Sequence, residues 1–223
     1  MMQASLDTNV IIHLYKADMQ SVLFKRFKNV VIYEFIRTHE LERHADDEIL
    51  SLFDQDCKQG RIEMIDDKYI RDNGLFKLFD NLVRDYRIIF DDCDLGEIYA
   101  ISLAKILGCI CLVTDDIKEK GPHYTLMREA ESDVIPLAFY ELLFIDYLDG
   151  KLTAENLLSH FNLVCEVSCL NIDIESKVKA FIRRFWTSPY DEAEKTWMKE
   201  YCDSNNINAK QKMKKLQKVI ENN

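Results

Sequence analysis

"ASLDTNVIIHLY", residues 4–15, sets a single carboxylate between two apolar runs. The residues before Asp7 read as a short buried strand, and those from Thr8 to Tyr15 read as a helix. The acid therefore falls at the turn between them. Two explanations compete. Asp7 and Thr8 both suit a helix cap, because a short side-chain oxygen can accept from the unpaired amides of the first turn. Alternatively, the strand delivers the carboxylate to the sheet edge where ligands collect.

Outward from this stretch, the first two-thirds of the chain alternates apolar runs with amphipathic ones, the pattern of an α/β parallel sheet. Strands are expected at Gln3–Leu6, Asn29–Tyr33, Ile62–Ile65, Cys109–Thr114 and Val134–Leu137. Helices are expected at Thr8–Tyr15, Met19–Phe27, Phe35–Glu42, Asp46–Lys58, Leu75–Ile88 and Gly96–Leu107, with Gly108 as the C-cap of the last. From Phe139 onward only helices are expected: Phe139–Tyr147, Ala154–Leu163, Ile174–Phe185, Glu192–Cys202 and Ala209–Ile220. The last carries Met213, Leu216 and Ile220 on one face, so it should pack on a neighbour. This gives an α/β domain over 1–148 and a helical extension over 149–223.

The 223 residues include only 6 Gly and 3 Pro, which leaves little chain for loops. Seven cysteines without framework spacing favour reduced thiols and exclude a zinc knuckle. No apolar run is long enough for a membrane span, so a soluble, cytoplasmic protein is expected. The net charge of −10 argues against a generic nucleic-acid-coating surface. Charge is unevenly spread: residues 1–150 hold 29 acids and 17 bases, whereas 151–223 hold 10 acids and 12 bases.

Several acids fall where a parallel sheet brings residues together. Asp7 ends the first strand, and Glu40 lies in "THELERH" after the second. Glu97 opens the helix "DLGEIYAISLAKILG", and Asp115 and Asp116 follow "CICLVT". Each alone has a plain structural explanation as a cap, a first-turn acid or a solvated charge. Together, carboxylates in one crevice repel one another unless a cation neutralises them. Oxygen ligands without His or Cys fit a hard ion, Mg²⁺ or Mn²⁺.

In order and spacing, "SLDTNVII", "HEL", "DLGEIYAISLA" and "CLVTDD" resemble the PIN-domain nucleases, over about residues 3–137. The resemblance implies a three-layer, Rossmann-like fold with helices on both faces of the sheet. It also implies four metal-site acids, Asp7, Glu40, Glu97 and Asp116. Asp115 is the alternative to Asp116, Asp94 the rival of Glu97, and Glu34 and Glu42 the rivals of Glu40. Asn9 and Thr114 match the polar residues that orient such carboxylates. The Gly-Glu pair at Glu97, where many members carry Asp, points to one branch of the family.

The activity so implied is metal-dependent endoribonuclease hydrolysis of RNA by activated water, leaving a 5′-phosphate and a 3′-hydroxyl. Lys177, Lys179, Arg183 and Arg184 would form a basic ridge guiding the polyanion, with five further lysines in the last helix. The resemblance leaves open a growth-inhibiting toxin held by an antitoxin, a processing enzyme, and a second copy of the chain as partner. A catalytically inactive PIN-like module that binds RNA or protein is the main alternative. "HELERH" is not a zinc-protease motif, since His39 and His44 are five apart where four are required. A phosphotransferase of the haloacid-dehalogenase type needs an acid two residues after the nucleophile, and that position is Asn9.

Overall fold

The computed structural model describes residues 2–89, 95–117, 123–124, 126, 133–189 and 191–222. The chain forms two compact units, Met1–Phe139 and Tyr140–Asn223. The first unit is built on a five-stranded, all-parallel sheet of β1 (Met2–Leu6), β2 (Phe27–Tyr33), β3 (Glu63–Ile65), β4 (Cys111–Val113) and β5 (Ile135–Leu137). The spatial order is β3-β2-β1-β4-β5. Parallel strands covered on both faces need side chains that tolerate burial on either side. Ala4, Ser5 and Leu6 of β1 and all three residues of β4 are accordingly buried.

After β1 the chain moves to β2, and after β4 it moves the opposite way to β5. The reversal makes the gap between β1 and β4 the topological switch point, the place where parallel sheets open a crevice beyond their carboxyl ends. Right-handed crossovers set helices on opposite faces for the two directions of travel. One group is α1 (Thr8–Lys16), α2 (Ser21–Arg26), α3 (Glu42–His44) and α4 (Asp47–Lys58), in which α1 packs on α4. The other comprises α5 (Asp67–Asp72), α6 (Phe76–Ile89) and α7 (Leu95–Ile106), in which α6 packs on α7. The architecture is α/β and fits a three-layer, Rossmann-like arrangement.

Two local features depart from the sequence expectation. The helix expected over Phe35–Glu42 is a π-helix across Ile36–Leu41, followed by the short α3. The short helix α5, in the segment DKYIRD, was not foreseen; Asp66 caps it by accepting from the Tyr69 amide at 2.6 Å. Gly108 does end α7, at φ +64°, where an L side chain is strained. The Cys109 amide then bonds Ala104 O at 2.8 Å, so β4 begins at Cys111 rather than at Cys109.

The second unit is helical: α8 (Phe139–Leu148), α9 (Ala154–Val167), α10 (Ile174–Ile182) with a π-turn at Arg183–Thr187, α11 (Glu192–Ser204) and α12 (Ala209–Glu221). Its first helix was expected to close the α/β domain, but from Tyr140 onward it groups with the later helices instead. The cause is a set of long-range bonds. Tyr147 Oη donates to Lys212 O at 3.0 Å, Lys212 Nζ caps Leu148 O at 2.8 Å, and Phe144 meets Phe181 edge-on at 5.2 Å. A helix apolar on every side, as FYELLFIDYL is, must be enclosed rather than half-exposed. Leu142, Leu143, Phe144 and Ile145 are fully buried. Of the face Met213, Leu216 and Ile220, the first two are buried and Ile220 is half-buried. Among the described residues no helix is long and apolar enough to cross a membrane.

Candidate functional site at the carboxyl edge of the sheet

Asp7 follows β1 directly, and its backbone N–H still bonds Val113 O of β4 at 3.0 Å. Its side chain does cap α1, but in an unusual way. Asp46, Asp66, Thr153, Asp173 and Asn208 each accept from the amide three residues on. That is the ordinary reach of a cap. Asp7 Oδ1 accepts instead from the very next amide, Thr8 N, at 2.7 Å. Its Oδ2 turns toward β4 and accepts from Thr114 Oγ1 at 2.8 Å. Helix capping alone does not account for that second bond.

Thr114 is the residue that joins the two strand ends. Its amide bonds Leu137 O at 3.0 Å, which anchors it to β5. The hydroxyl donates to Asp7 and accepts from the Asp116 amide at 3.1 Å. One fully buried group thus fixes a carboxylate on one side of the switch point and the segment bearing a second carboxylate on the other. Asp7 is 2 % exposed and Asp116 9 %.

Glu97 lies in the first turn of α7 and is 4 % exposed. Its level can be read from Ser5 Oγ, which donates to Ala100 O at 3.0 Å. Going from Ala100 back to Glu97 climbs about 4.5 Å along the helix. Going from Ser5 to Asp7 climbs about 6.6 Å along the strand. With α7 packed on β1, β2 and β4, this puts Glu97 toward the carboxyl edge of the sheet, the edge at which Asp7 ends β1.

The other candidates fare differently. Glu40 is partly exposed in the π-helix, with Oε2 3.8 Å from His44 Nε2. Of its rivals, Glu42 accepts from Arg37 at 3.0 Å and Glu34 is exposed. Asp94 lies outside the described residues. Asp115 has both oxygens engaged elsewhere: Oδ1 accepts from the Phe139 amide at 2.7 Å, and Oδ2 lies 2.7 Å from His13 Nδ1. Those bonds commit Asp115 to Phe139, the last residue of the first unit, and to His13, whereas the Asp116 amide is bonded to Thr114. Asn9 is exposed on the outer side of α1, and no bond from it to a carboxylate is seen among the described residues. Thr114 alone of that pair orients an acid. His13 was passed over in the sequence, although a polar residue inside "NVIIHLY" was the available signal.

The expected basic ridge does not form. Arg184 is 2 % exposed and clamped between Glu141 and Glu194, so it offers nothing to a ligand. Lys177 is half-buried with Nζ 5.3 Å from the Tyr140 ring centre, and burial pulls its ammonium below the usual lysine range. Lys179 pairs with Glu175 in the same helix, and Arg183, like Lys179, is exposed. Helical spacing explains the split, since 177 and 184 share one face and 179 and 183 another. Trp186 and Trp197, both half-buried, pack on Phe185 at 6.0 and 6.2 Å. Tyr190 lies outside the described residues.

Asp7, Glu97 and Asp116 fit a hard divalent cation in ligand type, being oxygen donors withdrawn from water. Among the described residues, no group of three or more His, Cys, Asp or Glu side chains is arranged to hold an ion. The fit is thus one of ligand chemistry and location. No protein-family model matches the chain, and neither a curated protein nor a solved structure matches it at a significant level. Function is therefore argued from the site itself.

Proposed function

We propose that this chain is a PIN-like, metal-dependent endoribonuclease that hydrolyses single-stranded or structured RNA at the β1–β4 switch point. The observation that carries the reading is the Thr114 hydroxyl, bonded at once to the Asp7 carboxylate and the Asp116 amide. In it, Asp7, Glu97 and Asp116 hold Mg²⁺ or Mn²⁺. When bound, such an ion acidifies water toward neutrality and offsets the charge that develops on the phosphate. Thr114 keeps the Asp7 carboxylate in register, and the α1 amide at Thr8 supports its charge. Glu40, at the more open edge, positions water. Attack by water rather than by the ribose hydroxyl leaves a 5′-phosphate and a 3′-hydroxyl. Such an enzyme belongs in the cytoplasm, as a toxin paired with an antitoxin or as a processing nuclease.

A second reading, a PIN-like module that binds RNA or protein without cutting, is favoured by one observation. No ion-ready group of three side chains is found among the described residues. Turnover separates the two readings. Labelled single-stranded RNA and a tRNA pool are incubated in Mn²⁺, Mg²⁺ and EDTA with the wild type, Asp7→Asn and Thr114→Val, each matched for folding by circular dichroism. Cleavage is expected only with metal. Thr114→Val should lose roughly 10–100-fold, as the loss of an outer partner of a metal ligand does. Asp7→Asn should lose more. Equal activity in wild type and Asp7→Asn sinks the assignment, and RNA binding without cutting establishes the second reading. A small copurifying protein that blocks cleavage would identify the toxin role.

A further inference from the structure

We propose that the stripe Phe35–His39–Arg43 seats one unpaired RNA base, with the His39 imidazole stacking on the base and Arg43 meeting the neighbouring phosphate. This rests on the nuclease reading and adds to it the recognition of single-stranded substrate. The rings of Phe35 and His39 lie parallel, 7° between planes and 4.2 Å between centres. Thr38 Oγ1, 2.8 Å from His39 Nδ1, fixes the imidazole's rotation.

Behind Phe35 stands Tyr99, edge-on at 4.9 Å, and behind Tyr99 stand Tyr33 at 4.9 Å and Phe79 at 5.8 Å. Core packing explains those inner four rings, which join β2 to α6 and α7. It does not explain a fifth ring held flat against them yet exposed to solvent. The wall also shares its elements with the acids: His39 precedes Glu40, and Tyr99 stands two residues after Glu97.

Arg43 follows His39 by four residues, on the same side of the helical segment. It is exposed and holds no ion pair among the described residues. Arg37 makes the contrast, bound by both oxygens of Asp54 at 2.7 and 2.8 Å. An open ring face with a free cation beside it is the combination by which proteins hold single strands, because every base has a π-face and every link a phosphate.

The test measures binding of a fluorescein-labelled single-stranded RNA by anisotropy in EDTA, and KM and kcat for its cleavage in Mn²⁺. The proteins are wild type, His39→Ala, His39→Tyr and Arg43→Gln, and a second RNA set carries one abasic position moved along the strand. His39→Ala should weaken binding and raise KM about tenfold with kcat kept, and His39→Tyr should restore both. An abasic site at the seated position should erase the difference between wild type and His39→Ala. Arg43→Gln should reduce the salt slope by about one phosphate's worth. Unchanged binding and KM in His39→Ala overturns the stacking, as does equal loss in His39→Tyr, while metal-dependent cleavage by the wild type leaves the nuclease reading standing. A wild type that neither binds nor cuts RNA overturns both.

Discussion

Arg184→Met is expected to destabilise the second unit by about 3–5 kcal/mol. The guanidinium is buried, with Nε donating to Glu194 Oε2 at 2.7 Å and Nη1 donating to both Glu141 oxygens at 2.8 and 3.0 Å; Nη2 also bonds Glu194. Burial alone pulls the Arg184 pKa down, but Glu141 and Glu194 beside it hold the group above its ordinary value. It therefore stays charged at every accessible pH. Removing it leaves two carboxylates, each under 6 % exposed, that have lost the guanidinium they share. The cost comes from those stranded charges more than from the lost attraction. The triple change Glu141→Leu, Arg184→Met, Glu194→Leu should therefore recover most of the loss. Both tryptophans of the chain, Trp186 and Trp197, lie in this unit, so urea unfolding followed by tryptophan fluorescence reads it directly. A single mutant within about 1 kcal/mol of wild type would show that the clamp is not what holds these helices.

Arg184 also marks where reading a sequence stops. "KVKAFIRRFW" presents four cations in a row, and nothing local distinguishes one bound for solvent from one bound for the core. The decision is made by Glu141 and Glu194, 43 and 10 residues away. The same holds for α8: its apolar composition announces burial, but its partners Lys212 and Phe181 lie far along the chain. The inner strands β1 and β4, by contrast, were legible because burial on both faces of a parallel sheet demands continuous apolar runs, whereas the edge strand β3 exposes Glu63 and Met64. Helix α7 was legible at its C-terminus because Gly108 adopts a backbone conformation that other residues resist. The π-helix was not, since its hydrogen-bond register leaves no periodicity in six residues.

At the site, the kinds of residue were legible and their division of labour was not. Asp115 and Asp116 are identical in the sequence, and only the Phe139 amide and His13 separate them, by taking Asp115 for structural work. Asn9 and Thr114 looked alike as polar neighbours of acids. Position separates them: Asn9 is in the exposed second turn position of α1, whereas Thr114 is fully buried between strand ends. Asp7 turns out to answer both of the explanations its sequence allowed, since it caps α1 through one oxygen and reaches Thr114 through the other.

Mn²⁺ is expected to stabilise the folded protein independently of turnover. A ligand that binds only the folded state adds RT ln(1 + [L]/Kd), about 2.7 kcal/mol at a hundredfold excess over Kd. For a chain of this size that is a rise in Tm of roughly 5–11 °C between EDTA and saturating metal. The gain should belong to the first unit, because the acids that would share the ion's charge are Asp7, Glu97 and Asp116. Hydrogen exchange locates it: the amides of Asp7, Thr114 and Asp116, bonded to Val113 O, Leu137 O and Thr114 Oγ1, lie at the carboxyl ends of β1 and β4 and should slow together. In Asp7→Asn the shift should largely vanish, because one of the three charges that would oppose the cation is gone. Glu200→Gln, on an exposed acid of the second unit, should keep the full shift. An equal shift in wild type and Asp7→Asn would mean that the metal binds elsewhere on this acidic chain. No shift in wild type at millimolar Mn²⁺ would remove the cation from the site, leave the three buried acids to be explained by protein contacts alone, and favour the non-cutting module.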